Sequence, residues 1–268
     1  MEKRGTLHYP RCGSAYFGQS VGILMVSDDF IKPPAAGANV PITFETFCRV
    51  PGDVGNATSF DFPVQYKLIR GLDGNELLRP QPTENCRQRV IQACKELELE
   101  GARAIATFCG FMAYFQKDMA DAVDIPVFSS AILQVPLVSR VIAPKKVAIL
   151  TASSVLLSPE HLAACGITED IPHVVWGMNR YTDPNETLWV TETDMELRTK
   201  ELERRVVHAA EDCLAHNPDV GAFVLECTNM PPASYALQNA TGMPVFDVIT
   251  MINWAHDAVV QHRFIGHM

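Results

Sequence analysis

Two cysteines in this chain occupy matching slots. Cys109 closes the run Ala104-Ile-Ala-Thr-Phe108, and Cys227 closes Ala222-Phe-Val-Leu-Glu226. Cys109 precedes Pro126-Val-Phe128 by seventeen residues, and Cys227 precedes Pro244-Val-Phe246 by the same seventeen. A thiol at a helix N-terminus meets free N–H groups and partial positive charge, which lower its pKa and favour thiolate. Two such thiols facing one cleft suit a two-base proton transfer. One removes the α-proton of a small carboxylate, and the other returns a proton to the opposite face. The same N–H groups can stabilise charge building on the carboxylate. The scheme requires no metal or other cofactor. Taken singly, either cysteine reads as a small apolar packing residue; the matched pair turns the reading to chemistry.

The elements around the cysteines follow from periodicity. Ser20–Val26 reads as a buried strand, and Ile42–Val50 and Val64–Ile69 as further strands. Thr83–Glu100 has helical spacing, with Val90, Ile91, Cys94 and Leu97 on one face. Strand and helix then alternate. Strands are expected at Ala104–Phe108, Val127–Ser129, Val147–Thr151, Val174–Trp176, Ala222–Glu226 and Val245–Asp247. Helices are expected at Phe111–Val123, Ile132–Ile142, Ser158–Cys165, about Thr193 to His216, Pro232–Ala240 and Val248–Arg263. Pro231 and Pro232 fit the preference for proline in a first helical turn. Such alternation makes parallel sheets with helices on both faces. Val21-Gly-Ile-Leu24 and Val147-Ala-Ile-Leu150 open similar halves. The expected fold is therefore α/β, as two pseudo-symmetric lobes with the site in the cleft between them. The first lobe spans 1–144, with the C-terminal helix 248–268 a candidate to complete it, and the second spans 145–247.

Composition narrows the partners. With 268 residues, 47% hydrophobic, the chain has ample material for a packed core. A net charge of −9, with no basic run longer than Lys145-Lys146, disfavours nucleic acid. No apolar stretch approaches the roughly 20 residues that span a bilayer, and the first residues lack the apolar core of a secretory signal. The expected setting is cytoplasmic, and Asn56, Asn185 and Asn239 read as chance glycosylation matches. No zinc-type spacing of Cys with His appears. Cys12, Cys48, Cys86, Cys94, Cys165 and Cys213 read as reduced packing residues.

These motifs resemble the aspartate/glutamate racemase superfamily, which also holds hydantoin racemases, arylmalonate decarboxylases and maleate isomerases. Leu225-Glu-Cys-Thr-Asn-Met-Pro231 followed by Gly242-Met-Pro-Val-Phe-Asp247 is similar to the second catalytic-cysteine motif, and Gly101–Pro126 to the first. The resemblance covers nearly the whole chain and implies two pseudo-symmetric lobes around a shared site. Where the family often has Asn-Thr after its first cysteine, this chain has Gly110-Phe111; where it often has Thr-His after the second, this chain has Thr228-Asn229. Asn229 cannot titrate as histidine does, and Phe111 suits an ammonium group poorly. Two retained cysteines argue against a decarboxylase of the arylmalonate type, where one suffices. Pro51-Gly-Asp-Val-Gly-Asn56, Cys109-Gly-Phe-Met112, Phe115-Gln116 and Ser129-Ser130 are similar to a divergent branch that includes algal dimethylsulfoniopropionate lyases.

Catalysis is thus assigned to Cys109 and Cys227, with Gly110, Thr228 and Asn229 beside them. Thr151, Ser153 and Ser154 follow a strand where racemases of this group bind the substrate carboxylate, and they also read as a plain helix cap. Asp53 and Asn56 are further cleft candidates, although both are ordinary turn residues. The first expectation is a cofactor-independent racemase or epimerase of a small carboxylate. The alternatives are a lyase eliminating from the β-carbon and a non-catalytic small-molecule-binding protein. A homo-oligomer is the default association.

Overall fold

The computed structural model describes residues 18–26, 49–72, 74–79, 81–181 and 194–266. Cys12, Cys48, Asn185 and Thr193 lie outside these residues. Of the strand expected over Ile42–Val50 only Arg49 and Val50 are described, and they are irregular.

The first half of the chain forms β1 (Val21–Val26), β2 (Val64–Ile69), a single turn α1 (Gly74–Leu77), α2 (Glu84–Leu99) and β3 (Ala104–Thr107). It continues through α3 (Gln116–Ala122), β4 (Val127–Phe128) and α4 (Val135–Ile142). The second half forms β5 (Lys146–Thr151), α5 (Pro159–Ala164), β6 (His173–Gly177) and α6 (Met195–His216). It ends with β7 (Val220–Leu225), α7 (Ser234–Thr241), β8 (Val245–Phe246) and α8 (Val248–Val259). The sheets run β2-β1-β3-β4 and β6-β5-β7-β8, and every pairing is parallel. Among the described residues each strand of one half therefore has a counterpart in the other, and the parallel sheets are those the alternation predicted.

Local chemistry explains the boundaries. Thr83 caps α2 by accepting from the Cys86 N–H at 3.2 Å, and Cys86, Val90, Ala93, Cys94 and Leu97 bury one stripe. Gly101, at φ +95°, ends the helix and returns Ala102 N–H to Leu97 C=O at 3.0 Å. Three expected helices begin as 3-10 turns, at Gly110–Phe115, Ala131–Gln134 and Pro231–Ala233. The first two follow within a few residues of a strand end, where a tighter turn reverses the chain, and the third follows the Cys227 turn. α8 stops at Val259 rather than running to Arg263, because Gln261, His262 and Arg263 offer no apolar face to bury.

Alternate residues of the central strands feed different cores. Val21 and Ile23, Val147 and Ile149, and Ala222 and Val224 join one cluster shared by both halves. Leu24 and Val26 face a second cluster under α2, whereas Ala148, Leu150, Phe223 and Leu225 face a third under α6 and α7. The last helix of each half crosses over. α4 packs on β5 and β7, and α8 packs on β1, β3 and β4. A further polar tie joins the halves, where Gln134 Nε2 donates to the Asp247 carbonyl at 2.9 Å. Neither sheet can shift without its neighbour's helix shifting too.

Phe223 is fully buried on the strand that leads to Cys227. Phe223→Ala is expected to lower unfolding stability by about 3–5 kcal/mol, measured by urea titration.

Candidate active site

Both sheets reverse strand order beside their first strand, and ligands of open α/β sheets bind beyond strand carboxyl ends at such points. Cys109 follows β3 after Phe108, and Cys227 follows β7 after Glu226. The two cysteines open the same kind of turn. Met112 N–H donates to the Cys109 carbonyl at 3.0 Å, and Met230 N–H donates to the Cys227 carbonyl at 3.1 Å. Both residues stay partly exposed, unlike Cys86, Cys94, Cys165 and Cys213, which are buried free thiols as expected. The charge of one thiol is felt by the other, since ionised Cys109 raises the pKa of Cys227.

Between them sits Glu226, which is 0% exposed. Its N–H joins the Leu150 carbonyl at 2.8 Å, and Thr151 Oγ1 donates to its Oε2 at 2.7 Å. Oε1 is buried without a hydrogen-bond partner. The carboxyl packs under the first cysteine's turn: a Cβ on Gly110 would stand 2.0 Å from Glu226 Oε1 and 2.3 Å from the Glu226 carbonyl oxygen. Only glycine fits there. Thr228 Oγ1 donates to the Phe108 carbonyl, a buried bond that joins the two cysteine strands. Burial raises the Glu226 pKa to about 7, against the smaller pull of the Thr151 hydroxyl and the Ala152 N–H.

The loop after residue 48 forms one wall. Asp53 is buried, and its Oδ1 accepts the Gly55 N–H at 2.7 Å. Arg49 reaches Asp53 Oδ2 and Asn229 Oδ1, each at 3.5 Å, and lies 4.2 Å above the Phe108 ring. Buried Arg198 of α6 adds positive charge near Asp53. Burial nevertheless raises the Asp53 pKa, because desolvation outweighs both arginines. Asn56 takes the turn role. Its Oδ1 accepts from Thr58 N–H at 2.9 Å, and its Nδ2 donates to the Arg49 carbonyl at 2.7 Å.

The structure corrects the expected thiol chemistry. The N–H groups of Phe111 and Met112 do favour a Cys109 thiolate, and that of Asn229 favours a Cys227 thiolate. Desolvation is larger, and the Glu226 charge adds to it, so Cys109 is pushed up to about 12 and Cys227 well above the usual thiol range. Polar turns alone do not activate these thiols.

Cys109, Gly110, Cys227, Thr228, Asn229, Thr151 and Asp53 are thus brought together, with Glu226 among them. Ser153 and Ser154 build the turn after β5, and the helix that follows is capped by Ser158 instead. Ser153 Oγ accepts the Leu156 N–H at 3.4 Å, and Ser154 N–H donates to Asn179 Oδ1 at 3.0 Å. Sequence reasoning passed over Glu226, Arg49 and Arg198. An acid closing the apolar run Ala222–Leu225 was the available signal for Glu226; the arginines carried none. Among the described residues no group of three or more His, Cys, Asp and Glu is placed to hold a metal ion. No helix among them is long and apolar enough to cross a membrane.

Residues 79–255 match the family model described as Asp/Glu/Hydantoin racemase. The chain belongs to this family. Within the Asp/Glu/Hydantoin racemase family, it is similar to a dimethylsulfoniopropionate lyase of Durusdinium sp. clade D, at 31% identity over 206 residues covering 75% of this chain and 67% of that protein. It is also similar to dimethylsulfoniopropionate lyase 7 of Emiliania huxleyi (strain CCMP1516), at 28% identity covering 87% of this chain and 65% of that protein. The chain spans 58% of a third relative, dimethylsulfoniopropionate lyase 3 of the same strain. Among solved structures it resembles an aspartate racemase homologue from Pyrococcus horikoshii, with TM-score 0.55 at 17% identity over 89% of this chain and 98% of that one. Unliganded arylmalonate decarboxylase gives TM-score 0.52 at 19% identity over 90% of this chain and 92% of that one. These likenesses show that the two-lobe α/β fold of the racemase family is the fold of this chain.

The Glu226 carboxyl yields a pH dependence of stability. In the folded chain it holds a proton up to about pH 7, whereas an unfolded glutamate releases it near about pH 4.3. Between those values the folded state binds more protons, so unfolding free energy falls as pH rises and levels off above pH 7. The size is on the order of 3 kcal/mol. Glu226→Gln is expected to remove this slope in urea titrations at several pH values, leaving the variant the more stable chain above neutrality. Gly110→Ala forces a carbonyl and a carboxyl apart, with an expected loss of about 1–3 kcal/mol in the same assay.

Proposed function

We propose that this chain is a lyase that removes the α-proton of a small carboxylate while a cationic group leaves the β-carbon, with dimethylsulfoniopropionate as the substrate. The observation that carries the reading is the company the two thiols keep. Burial disfavours both thiolates, the charge of Glu226 adds to this at Cys109 and Cys227, and the charge of Asp53 adds to it at Cys227. A sulfonium cation entering that space offsets the opposing charge and eases ionisation of the thiol that must act as base. The relatives named as dimethylsulfoniopropionate lyases support the same reading.

In the proposed step a cysteine thiolate takes the α-proton and becomes a thiol. The released electron pair forms the carbon–carbon double bond, the β-carbon–sulfur bond breaks, and dimethyl sulfide leaves with its electron pair, so that acrylate remains. Substrate carboxylate contacts are proposed for Arg49 and Asn229, and for the turns at Gly110 and Thr228. Arg49 answers to carboxylate geometry through its planar fork.

The matched cysteine pair favours a second reading, racemisation or epimerisation with one thiol on each face of the α-carbon. Proton NMR in heavy water separates the two. With dimethylsulfoniopropionate, vinyl signals of acrylate are expected to appear, and the headspace is expected to contain dimethyl sulfide. Alanine at the cysteine acting as base should lower turnover by about 10²–10⁴-fold, whereas alanine at the other should cost no more than about tenfold. α-Deuteration without vinyl product, abolished equally by Cys109→Ala and Cys227→Ala, replaces the lyase by the racemase. Neither exchange nor product with any small carboxylate replaces both by a binding protein.

A further inference from the structure

The elimination as written gives Glu226 no part, yet the fold goes to some length to keep a carboxyl there. It ends β7 directly before Cys227, and it reaches across the seam between the halves to the turn of Cys109. One oxygen is held by Thr151 and the other is buried with no hydrogen-bond partner. An ionised carboxylate in that position would leave Oε1 bare in a desolvated space, next to sulfurs that must carry charge themselves. Like charges so placed cannot all form, and their protons come off as a coupled set.

We propose that Cys109, Cys227 and Glu226 share protons as one cluster, in which a thiolate forms readily only while Glu226 is protonated. Glu226 is then a positioning residue that acts through the thiols and does not touch substrate. The inference rests on the proposed function only in taking the two thiols as the working groups.

Burial agrees with this, holding the Glu226 proton up to about pH 7. The charge of Glu226 acts on Cys109, on Cys227 and on buried Cys165 at the end of α5. The other charged groups facing the cluster are Asp53, which also opposes Cys227, and Arg49 and Arg198, which bear on Asp53. Those three belong to the loop after residue 48 and to α6, so replacing Glu226 leaves them in place. In an elimination the arrangement gives the neutral acid a use. It lets one negative charge, the thiolate, occupy a site that a second would close.

The test needs no substrate. Iodoacetamide labelling of the full chain from about pH 6 to about pH 11, read separately for each cysteine by mass spectrometry, follows the rising limb of thiolate formation, and displacement of that limb between variants reports the shift of the midpoint. Glu226→Gln keeps the shape and removes the charge. It is expected to move the Cys109 and Cys227 midpoints down by about one pH unit, equivalent to about tenfold faster labelling below the midpoint. Thr151→Val leaves the carboxyl but removes the donor that favours its charged form, so Glu226 keeps its proton to higher pH and faster labelling is expected just above about pH 7, merging with that of the unaltered chain at higher pH. Circular dichroism checks that each variant is folded. If Glu226→Gln does not fold, Thr151→Val decides alone. Labelling profiles that superimpose on those of the unaltered chain overturn the proposal. Displaced profiles without any acrylate from dimethylsulfoniopropionate leave the cluster standing and remove only the lyase reading.

Discussion

A carboxyl with no water around it is the constraint on which this molecule turns. Glu226 is fully buried where the ends of two parallel sheets approach each other, and it tolerates burial because the neighbouring backbone is cut to fit. Gly110 leaves room that any side chain would take, Thr151 supplies a hydroxyl from β5, and Thr228 ties its own turn to the Phe108 carbonyl across the seam. An acid in a protein interior favours its neutral form unless donors surround it, and here one oxygen has a donor and the other has none. The proton on that carboxyl is therefore part of the resting structure near neutrality. The charge of the carboxyl, when the proton leaves, adds to the desolvation that already holds both thiols protonated.

The duplicated architecture explains how such a site is assembled from distant segments. Two sheets of identical strand order place Cys109 and Cys227 in equivalent turns, and the exchange of α4 and α8 between sheets locks the two turns into one frame. Symmetry stops at the residue that follows each cysteine. Gly110 makes space and Thr228 makes a bond, so the two thiols have different surroundings despite equal backbone positions. The N–H groups of Phe111 and Met112 serve Cys109 and that of Asn229 serves Cys227, which also feels the charge of Asp53. A proton acceptor and a proton donor need not be the same kind of group, and this inequality is what an elimination can use.

Much of this was legible in the chain. The apolar runs, the repeated Pro-Val-Phe after seventeen residues and the cysteines that precede it gave the lobes, the strand order of events and the family. Those signals are local and periodic, which is why they survive without a structure. What escaped reading depends on partners far apart in sequence. Glu226 looks like a stray acid until Thr151, 75 residues away, is seen to hold it. Arg49 and Asp53 sit in a turn-rich loop whose composition says only that the chain bends, and their link to Asn229 joins residues 180 positions apart. The sign of the thiol shift was misread for the same reason. A helix N-terminus can be inferred from spacing, whereas desolvation depends on everything packed around the sulfur.

That misreading bears on the choice of substrate. A zwitterionic amino acid carries its ammonium on the α-carbon, and Phe111, which follows Gly110, is buried and offers no anion to receive it. A sulfonium on the β-carbon stands one bond further from the carboxylate, and it needs only a negative or polarisable surface without directed hydrogen bonds. Two thiols, a buried acid and an aspartate already partnered by arginine form a surface of that kind. In the proposed elimination the cation would be present only until the carbon–sulfur bond breaks, and its departure would remove the charge that eased thiolate formation. The site then returns to its resting state, in which protonated thiols and a neutral Glu226 are favoured. The electrostatics that hold both thiols protonated are thus what a cationic substrate of the proposed kind would offset.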